Sequence, residues 1–139
     1  MTPDEKRLVT ETFAMVAPIA DTAATLFYGK LFDIEPAYKA LFKGSMDEQG
    51  KKLMQTLGFA VSKLDELDEL VPVVEALAMR HVAYGVKAED YAPVGEALLW
   101  TLGQGLGDDF TEEVEAAWTT VYTILADTMK AAAYAPVDI

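Results

Sequence analysis

Apolar residues recur at three- and four-residue spacing along nearly the whole chain, without sustained alternation of apolar and polar positions. This period is typical of amphipathic helices, and the abundance of Ala, Leu, Glu, Lys and Met favours the same structure. The pattern predicts an all-α fold of six to eight helices in one compact domain.

Capping residues and prolines predict where the first helices begin and end. Thr2 and Glu5 have capping-box spacing, so a first helix is expected from there to about Pro18. Pro36 is expected to end the second helix, because proline disfavours the helical conformation of the residue before it. A short helical turn is expected to follow as far as Phe42.

The same signals predict the rest of the chain. Ser45 and Glu48 form a second capping box, which opens a long helix through Leu64. Residues 65–69 are interpreted as an acidic linker. The remaining helices are expected over 70–84, 89–106 and 111–134, with breaks at the glycines: Gly85, Gly103, Gly105 and Gly107.

Three polar residues lie on the predicted apolar stripes. His81 shares its stripe with Leu77, and Gln49 shares that of the third helix. A lone inward histidine is more often a hydrogen-bonded core residue than a ligand. Two polar side chains facing inward from different helices nevertheless indicate a shared cavity, and Tyr28 on the second helix would add a phenolic donor.

Length, composition and charge restrict the possible functions. The 139 residues are 52% hydrophobic, as expected for one folded domain spanning 1–139. The net charge of -12 argues against nucleic-acid and anionic-membrane partners. No signal-peptide or membrane-spanning segment is apparent, so a cytoplasmic location is expected.

The scarcity of metal ligands narrows the candidate chemistry. There is no cysteine and a single histidine, which excludes thiolate sites and multi-histidine metal sites within one chain. Haem iron needs only one protein ligand, so a haem would explain the whole set. His81 would lie on one side of it and the Tyr28 and Gln49 donors on the other, within an apolar wall: Phe42, Leu53, Leu57 and Leu77.

Several short motifs together resemble the globin family. They are Leu-Phe-Tyr-Gly-Lys-Leu-Phe at 26–32, Glu35-Pro36, Ala-Leu-Phe at 40–42, Gln49, Arg80-His81, Tyr84-Gly85-Val86, Tyr91, Val94-Gly95, Leu98-Leu99 and Ala117-Trp118 with Tyr122. The chain is most similar to single-domain bacterial haemoglobins and the globin half of flavohaemoglobins. Its 91–122 stretch is also similar to neuroglobin.

The resemblance implies a function for each matching position. His81 would be the proximal ligand of haem b (iron protoporphyrin IX), with its other ring nitrogen donating to the Leu77 carbonyl. Tyr28 and Gln49 would be distal donors to bound ligand, and Leu53 would control access. Phe42 would pack on the ring at the mouth of the pocket.

The chain departs from the flavohaemoglobin pattern at one position. In that family a glutamate and a tyrosine support the proximal histidine. Tyr91 matches the tyrosine, but Ala133 stands where the glutamate is expected. This difference favours ligand binding over peroxidase-like chemistry.

The resemblance to neuroglobin raises the question of a second protein ligand. A second histidine cannot close the sixth position here, since the chain has one. Lys52 could ligate only if burial deprotonated it; a solvated lysine or a partner of a haem propionate is the favoured interpretation. Arg80 is likewise a propionate candidate.

The function implied is reversible O2 binding, with NO and CO as further diatomic ligands. The alternatives are NO dioxygenation with an electron-donating reductase, which this chain does not contain, and haem-based gas sensing. A haem-free helical interaction module is a further class, against which His81 argues. Either a monomer or a homodimer is compatible with the sequence.

Overall fold

The computed structural model describes residues 2–41, 45–83 and 90–134. Every regular element within these ranges is helical. The side chains of residues 41, 67, 68, 79–83 and 132–134 lie outside the description as well. The α-helices are α1 (Pro3–Val16), α2 (Ala20–Ile34), α3 (Met46–Ser62), α4 (Leu67–Ala83), α5 (Tyr91–Leu106) and α6 (Glu112–Tyr134). Short 3₁₀ segments lie at Ala17–Ile19, Pro36–Leu41 and Gly107–Asp109. The prediction of an all-α fold is confirmed.

The predicted cap of the first helix is present. The Thr2 hydroxyl accepts from the Glu5 N–H at 3.1 Å, and the Glu5 carboxylate accepts from the Thr2 N–H at 3.0 Å. Thr120 on α6 donates to the same carboxylate at 2.8 Å, so the cap also joins the two helices. These hydrogen bonds lower the pKa of Glu5 below its ordinary value.

The predicted linker at 65–69 is wrong in its second half, because α4 begins at Leu67. Carboxylates are favourable in the first turn of a helix, where they face the positive end of the helix dipole. Lys63, in the turn between α3 and α4, also contacts Glu66 at 3.2 Å and Glu69 at 3.0 Å. The acidic run therefore starts the helix instead of separating two helices.

The glycine breaks predicted near the end of α5 are only partly present. Gly103 and Gly105 lie inside the helix, which continues to Leu106. Gly107 has a φ of 56°, a left-handed conformation that glycine adopts without a steric penalty. Only the last of these glycines therefore ends the helix.

Two apolar clusters form the core. The larger joins α1, α2, α5 and α6 around Trp118, which is 1% exposed. The indole N–H of Trp118 donates to the Thr12 hydroxyl at 2.8 Å, and that hydroxyl donates to the Leu8 carbonyl at 2.6 Å. The smaller cluster packs α4 on α6 through Leu70, Val74, Ala78, Ala126 and Met129. None of the helices within the described ranges is long and apolar enough to cross a membrane.

A close crossing of α2 and α3 places the first candidate site residues. A Cβ atom on Gly50 would lie 2.9 Å from the Cβ of Ala24, a distance that real side chains do not tolerate. The small pair allows the two helices to approach, and both residues are buried. Tyr28 lies one turn after Ala24 on α2, and Gln49 directly precedes Gly50 on α3.

Candidate functional site

Tyr28 and Gln49 are brought together where α2 crosses α3. Tyr28 is 7% exposed, and the half-buried Gln49 side chain lies within reach of its hydroxyl. Burial raises the pKa of the Tyr28 phenol, and the hydrogen bond with Gln49 offsets part of that rise. The phenol therefore stays protonated near neutral pH and keeps a proton to donate.

The inner face of α3 is buried unevenly along its length. Near the α3–α4 corner, Ala60 and Leu64 are each 4% exposed. Toward the other end, Leu53 and Leu57 are only half-buried, as is Gln49. The apolar face of α3 is thus less covered on the side away from the corner.

α4 packs on α6 through the smaller cluster. Val74 and Ala78 are buried against α6, whereas Leu77 is half-buried. Within the described residues, Ala60 on α3 packs in the smaller cluster with residues of α4. The rest of α3 makes no extensive contact with α4 there. The half-buried Leu53 and Leu57 on α3 pack against the larger cluster, and the half-buried Leu77 on α4 packs against the smaller one.

Three predicted site residues cannot be placed in this region by their side chains. His81 and Arg80 belong to the α4 helix, but their side chains lie outside the described residues, and Phe42 lies outside them altogether. In the helical register, position 81 follows Ala78 and Leu77 by three and four residues, and so continues their stripe. The spacing predicted for the α4 stripe is therefore retained in the backbone up to position 81.

Tyr91 lies at the start of α5, buried in the smaller cluster against the α4 stripe. Tyr122 on α6 donates its hydroxyl to the Tyr91 carbonyl at 2.6 Å. A Cβ atom on Gly95 would lie 2.7 Å from Cε2 of Tyr122, so the ring rests directly on the glycine backbone. Burial, and then the nearby Tyr91, raise the pKa of Tyr122 far above its ordinary value.

This tyrosine contact was not predicted from the sequence. The sequence motifs include Tyr122 on the last predicted helix, but they do not show which helix its hydroxyl reaches. The available signal was Gly95, a glycine inside an apolar helix, which can indicate close approach of another group.

Lys52 is exposed on α3. Exposure accords with a solvated lysine or a partner for an acidic group at the surface. Within the described residues, no group of three or more His, Asp or Glu side chains is arranged to hold a metal ion.

Comparisons with known proteins bear on the family of the chain. A statistical model of the globin family matches residues 25–129. The flavohemoprotein of Rhodopirellula baltica is 34% identical over 87% of this chain and 30% of its own length. That of Bordetella parapertussis is 33% identical over 91% of this chain and 32% of its own length. The chain thus spans about a third of these relatives. Neuroglobin of Danio rerio is 29% identical over 90% of this chain and 87% of its own length.

Solved structures share the fold over nearly the whole chain. One is an engineered carbene transferase built on a Rhodothermus marinus protein that is named as a nitric oxide dioxygenase. It has a TM-score of 0.87 and 23% identity, and covers 96% of this chain and 93% of its own. Another is a hexacoordinated haem protein from a tardigrade, with a TM-score of 0.87, 18% identity and coverage of 96% and 95%. The fold and the match of the family model over most of the chain lead to one conclusion: this chain belongs to the globin family.

Proposed function

We propose that residues 1–139 form a single globin domain that binds haem b through His81 and binds O2 reversibly. The observation that carries this proposal is the Tyr28–Gln49 pair, in which Gln49 shares the half-covered apolar face of α3 with Leu53 and Leu57. An apolar ring between the helices would cover leucines that are otherwise half-exposed, which is favourable because apolar surface leaves water.

The described residues suit such a group. Haem supplies an iron atom that binds diatomic gases, and a single imidazole completes its attachment to the protein. Leu53, Leu57 and Leu77 would contact the ring. We assign Phe42 to the ring at the pocket mouth, and Arg80 and the exposed Lys52 to its carboxylates.

Tyr28 and Gln49 would act on the ligand side. A dry pocket strengthens hydrogen bonds to a ligand that carries partial negative charge. Tyr28 is buried and protonated, and Gln49 offers an amide N–H beside it. Together they would slow the release of O2.

The haem assignment is tested by visible absorption of the purified protein after hemin is added. We expect a Soret band, and we expect it to be lost or sharply weakened in His81→Ala. Tyr38→Phe is a suitable control, since Tyr38 donates to Asp90 at 2.8 Å, outside the Tyr28–Gln49 pair. If the wild-type chain takes up no hemin, the proposal is wrong.

The distal assignment is tested by O2 dissociation measured in stopped flow. A hydrogen bond to a charged group contributes about 1.5–3 kcal/mol, so removing one should speed release by about tenfold or more. We expect this of Tyr28→Phe and, to a smaller extent, of Gln49→Leu, with Tyr38→Phe unchanged. Wild-type rates in both variants would remove the pair from this function.

NO dioxygenation is a second candidate function, favoured by the flavohemoprotein relatives. One O2, one NO and one electron give nitrate, so each turnover consumes an electron. We propose that a separate reductase would deliver it. Sustained NO consumption in the presence of NADH and a flavin reductase would support this function, and a single stoichiometric oxidation would leave O2 binding alone.

A further inference from the structure

The crossing of α2 and α3 has no room for a second methyl group. Ala24 is 5% exposed and Gly50 is buried, so their contact lies inside the protein. A Cβ atom on Gly50 would meet the Ala24 Cβ at 2.9 Å, whereas ordinary contact begins at 3.4 Å. The Ala24 methyl is fixed to its helix backbone and cannot rotate away. A methyl group at position 50 would therefore push the helices apart by about 0.5 Å, the difference between these two distances.

Tyr28 and Gln49 are carried by different helices, α2 and α3, and each lies within one turn of this crossing. The Tyr28 ring is held by its own helix. Its centroid is 5.0 Å from that of Phe27, in an edge-on arrangement, and 6.1 Å from that of Phe32. If the two helices separated, Tyr28 would therefore stay with α2 and Gln49 would move away with α3.

A displacement of this size matters to two donors that act on one small ligand. Hydrogen bonds between nitrogen and oxygen are typically about 2.7–3.2 Å long and weaken as the atoms separate. Groups at a binding site must be held to within about 0.5 Å of their working positions. Donors on separate helices meet this requirement only where the spacing of the helices is fixed. Here it is fixed, because the Ala24 methyl group lies against the Gly50 backbone.

We propose that Ala24 and Gly50 are positioning residues for O2 binding, because their contact sets the distance between the Tyr28 and Gln49 side chains. Neither Ala24 nor Gly50 has a polar side chain that could donate to a ligand, so both act through the spacing of α2 and α3. The assignment rests on the proposed function, since it concerns how the same two donors hold O2. The size of the residue at position 50 would then determine how fast O2 is released.

Gly50→Ala tests the spacing, and Gly58→Ala on the same helix is the matched control. A Cβ atom on Gly58 would lie 3.5 Å from the Phe13 ring, an ordinary contact that requires no movement. In the hemin-loaded protein, Gly50→Ala should release O2 several-fold faster than wild type, but no faster than Gln49→Leu. Gly58→Ala should release O2 at the wild-type rate. Donors stabilise a ligand through the charge on it, and bound CO carries little, so CO release should be the same in wild type and both glycine variants.

Two further variants separate positioning from a general loss of packing. In a Gln49→Leu background, Gly50→Ala should not speed O2 release further, because the donor that it displaces is already absent. An equal effect in both backgrounds would overturn the inference. The swap Ala24→Gly/Gly50→Ala keeps one methyl group at the crossing and balances helix propensity, so it should restore wild-type release.

The control also separates this inference from the proposed function. If Gly50→Ala releases O2 like Gly58→Ala, the spacing has no effect and the inference is wrong. Faster release in Tyr28→Phe and Gln49→Leu would then leave the proposed function standing.

The swap decides the outcome if Gly50→Ala takes up no hemin. Hemin uptake and wild-type release in the swap would show that the second methyl group was the cause, whereas failure of the swap as well would overturn the inference. Crystal structures give a readout that does not depend on ligand release. The Tyr28 Oη and the Gln49 side-chain amide should lie about 0.5 Å further apart in Gly50→Ala than in Gly58→Ala, and an unchanged separation would contradict the proposal.

Discussion

Single buried hydrogen bonds fix how the helices of this chain are joined. The Trp118–Thr12 bond is the strongest example, because the indole is 1% exposed and its donor has no access to water. The Thr12 hydroxyl accepts from Trp118 and donates to Leu8, so one small side chain links α1 to α6.

Thr12→Val should destabilise the protein by about 1–3 kcal/mol, since it leaves a buried N–H without a partner. Urea unfolding of the variant gives the value. Thr10→Val removes an exposed hydroxyl with a similar bond to its own helix, and should change stability by less than about 0.5 kcal/mol.

The indole donor can be isolated with a second substitution. In a Trp118→Phe background there is no N–H to satisfy, so Thr12→Val should cost less there than in the wild type. An equal cost in both backgrounds would assign the stability to the packing of Thr12 instead.

From the sequence, individual site residues could be predicted where a polar residue lies on an otherwise apolar helix stripe. Tyr28 and Gln49 were predicted in this way; the two side chains are close in the structure, and their function at the site stays a prediction. Thr56 shows the limit: it lies seven residues after Gln49, on the same predicted stripe of the third helix, yet it is exposed and donates to the Lys52 carbonyl at 2.8 Å. A threonine can satisfy its hydroxyl within its own helix, so its position in a periodic pattern does not fix its burial.

At the scale of the elements, glycines set how closely pairs of helices approach. Gly95 allows the Tyr122 ring to lie on the α5 backbone, whereas Gly29 on α2 has nothing within 4 Å of an added Cβ. Both glycines lie inside helices of similar length, but Gly95 is buried under a side chain and Gly29 is exposed.

Gly95→Ala should therefore destabilise the protein by about 1–3 kcal/mol, because the new methyl overlaps the Tyr122 ring. Gly29→Ala, its matched control, should stabilise by about 0.5–1 kcal/mol through the higher helix propensity of alanine. Thermal unfolding followed by circular dichroism compares the two. A stabilised Gly95→Ala would show that Tyr122 moves aside without cost.

Helix existence was easier to predict than helix ends or helix pairing. Apolar periodicity and the Thr2 cap are local properties, so they could be read from the sequence. The start of α4 depends on Lys63 contacts across a corner, and the end of α5 on which of three glycines takes a left-handed conformation. These are tertiary effects, so they cannot be read from the local sequence.

At the scale of the whole molecule, negative charge and buried phenols act together at alkaline pH. The net charge of -12 already opposes compactness, and residues 88–129 contain no Lys or Arg. Tyr28 and Tyr122 both have pKa values raised by burial. Added salt screens the surface repulsion but leaves the cost of ionising a buried phenol largely unchanged.

The sign of the tyrosine effect follows from proton linkage. Folded Tyr122 keeps its proton to higher pH than the unfolded chain, whose tyrosines ionise near pH 10. Its contribution to stability is complete below about pH 10 and is lost as the pH rises toward the folded value, at up to about 1.4 kcal/mol per pH unit.

Between about pH 10 and 12 the free energy of unfolding should therefore fall less steeply with pH in Tyr122→Phe than in the wild type. The difference in slope should correspond to nearly one proton. Urea midpoints measured across that range in high salt give the slope for each protein. Tyr38→Phe is the comparison, since the Tyr38 hydroxyl donates to Asp90 at 2.8 Å and lies outside the Tyr122–Gly95 contact. If Tyr122→Phe and wild type lose stability in parallel, surface repulsion alone drives alkaline unfolding, and the buried phenol on Gly95 has no part in it.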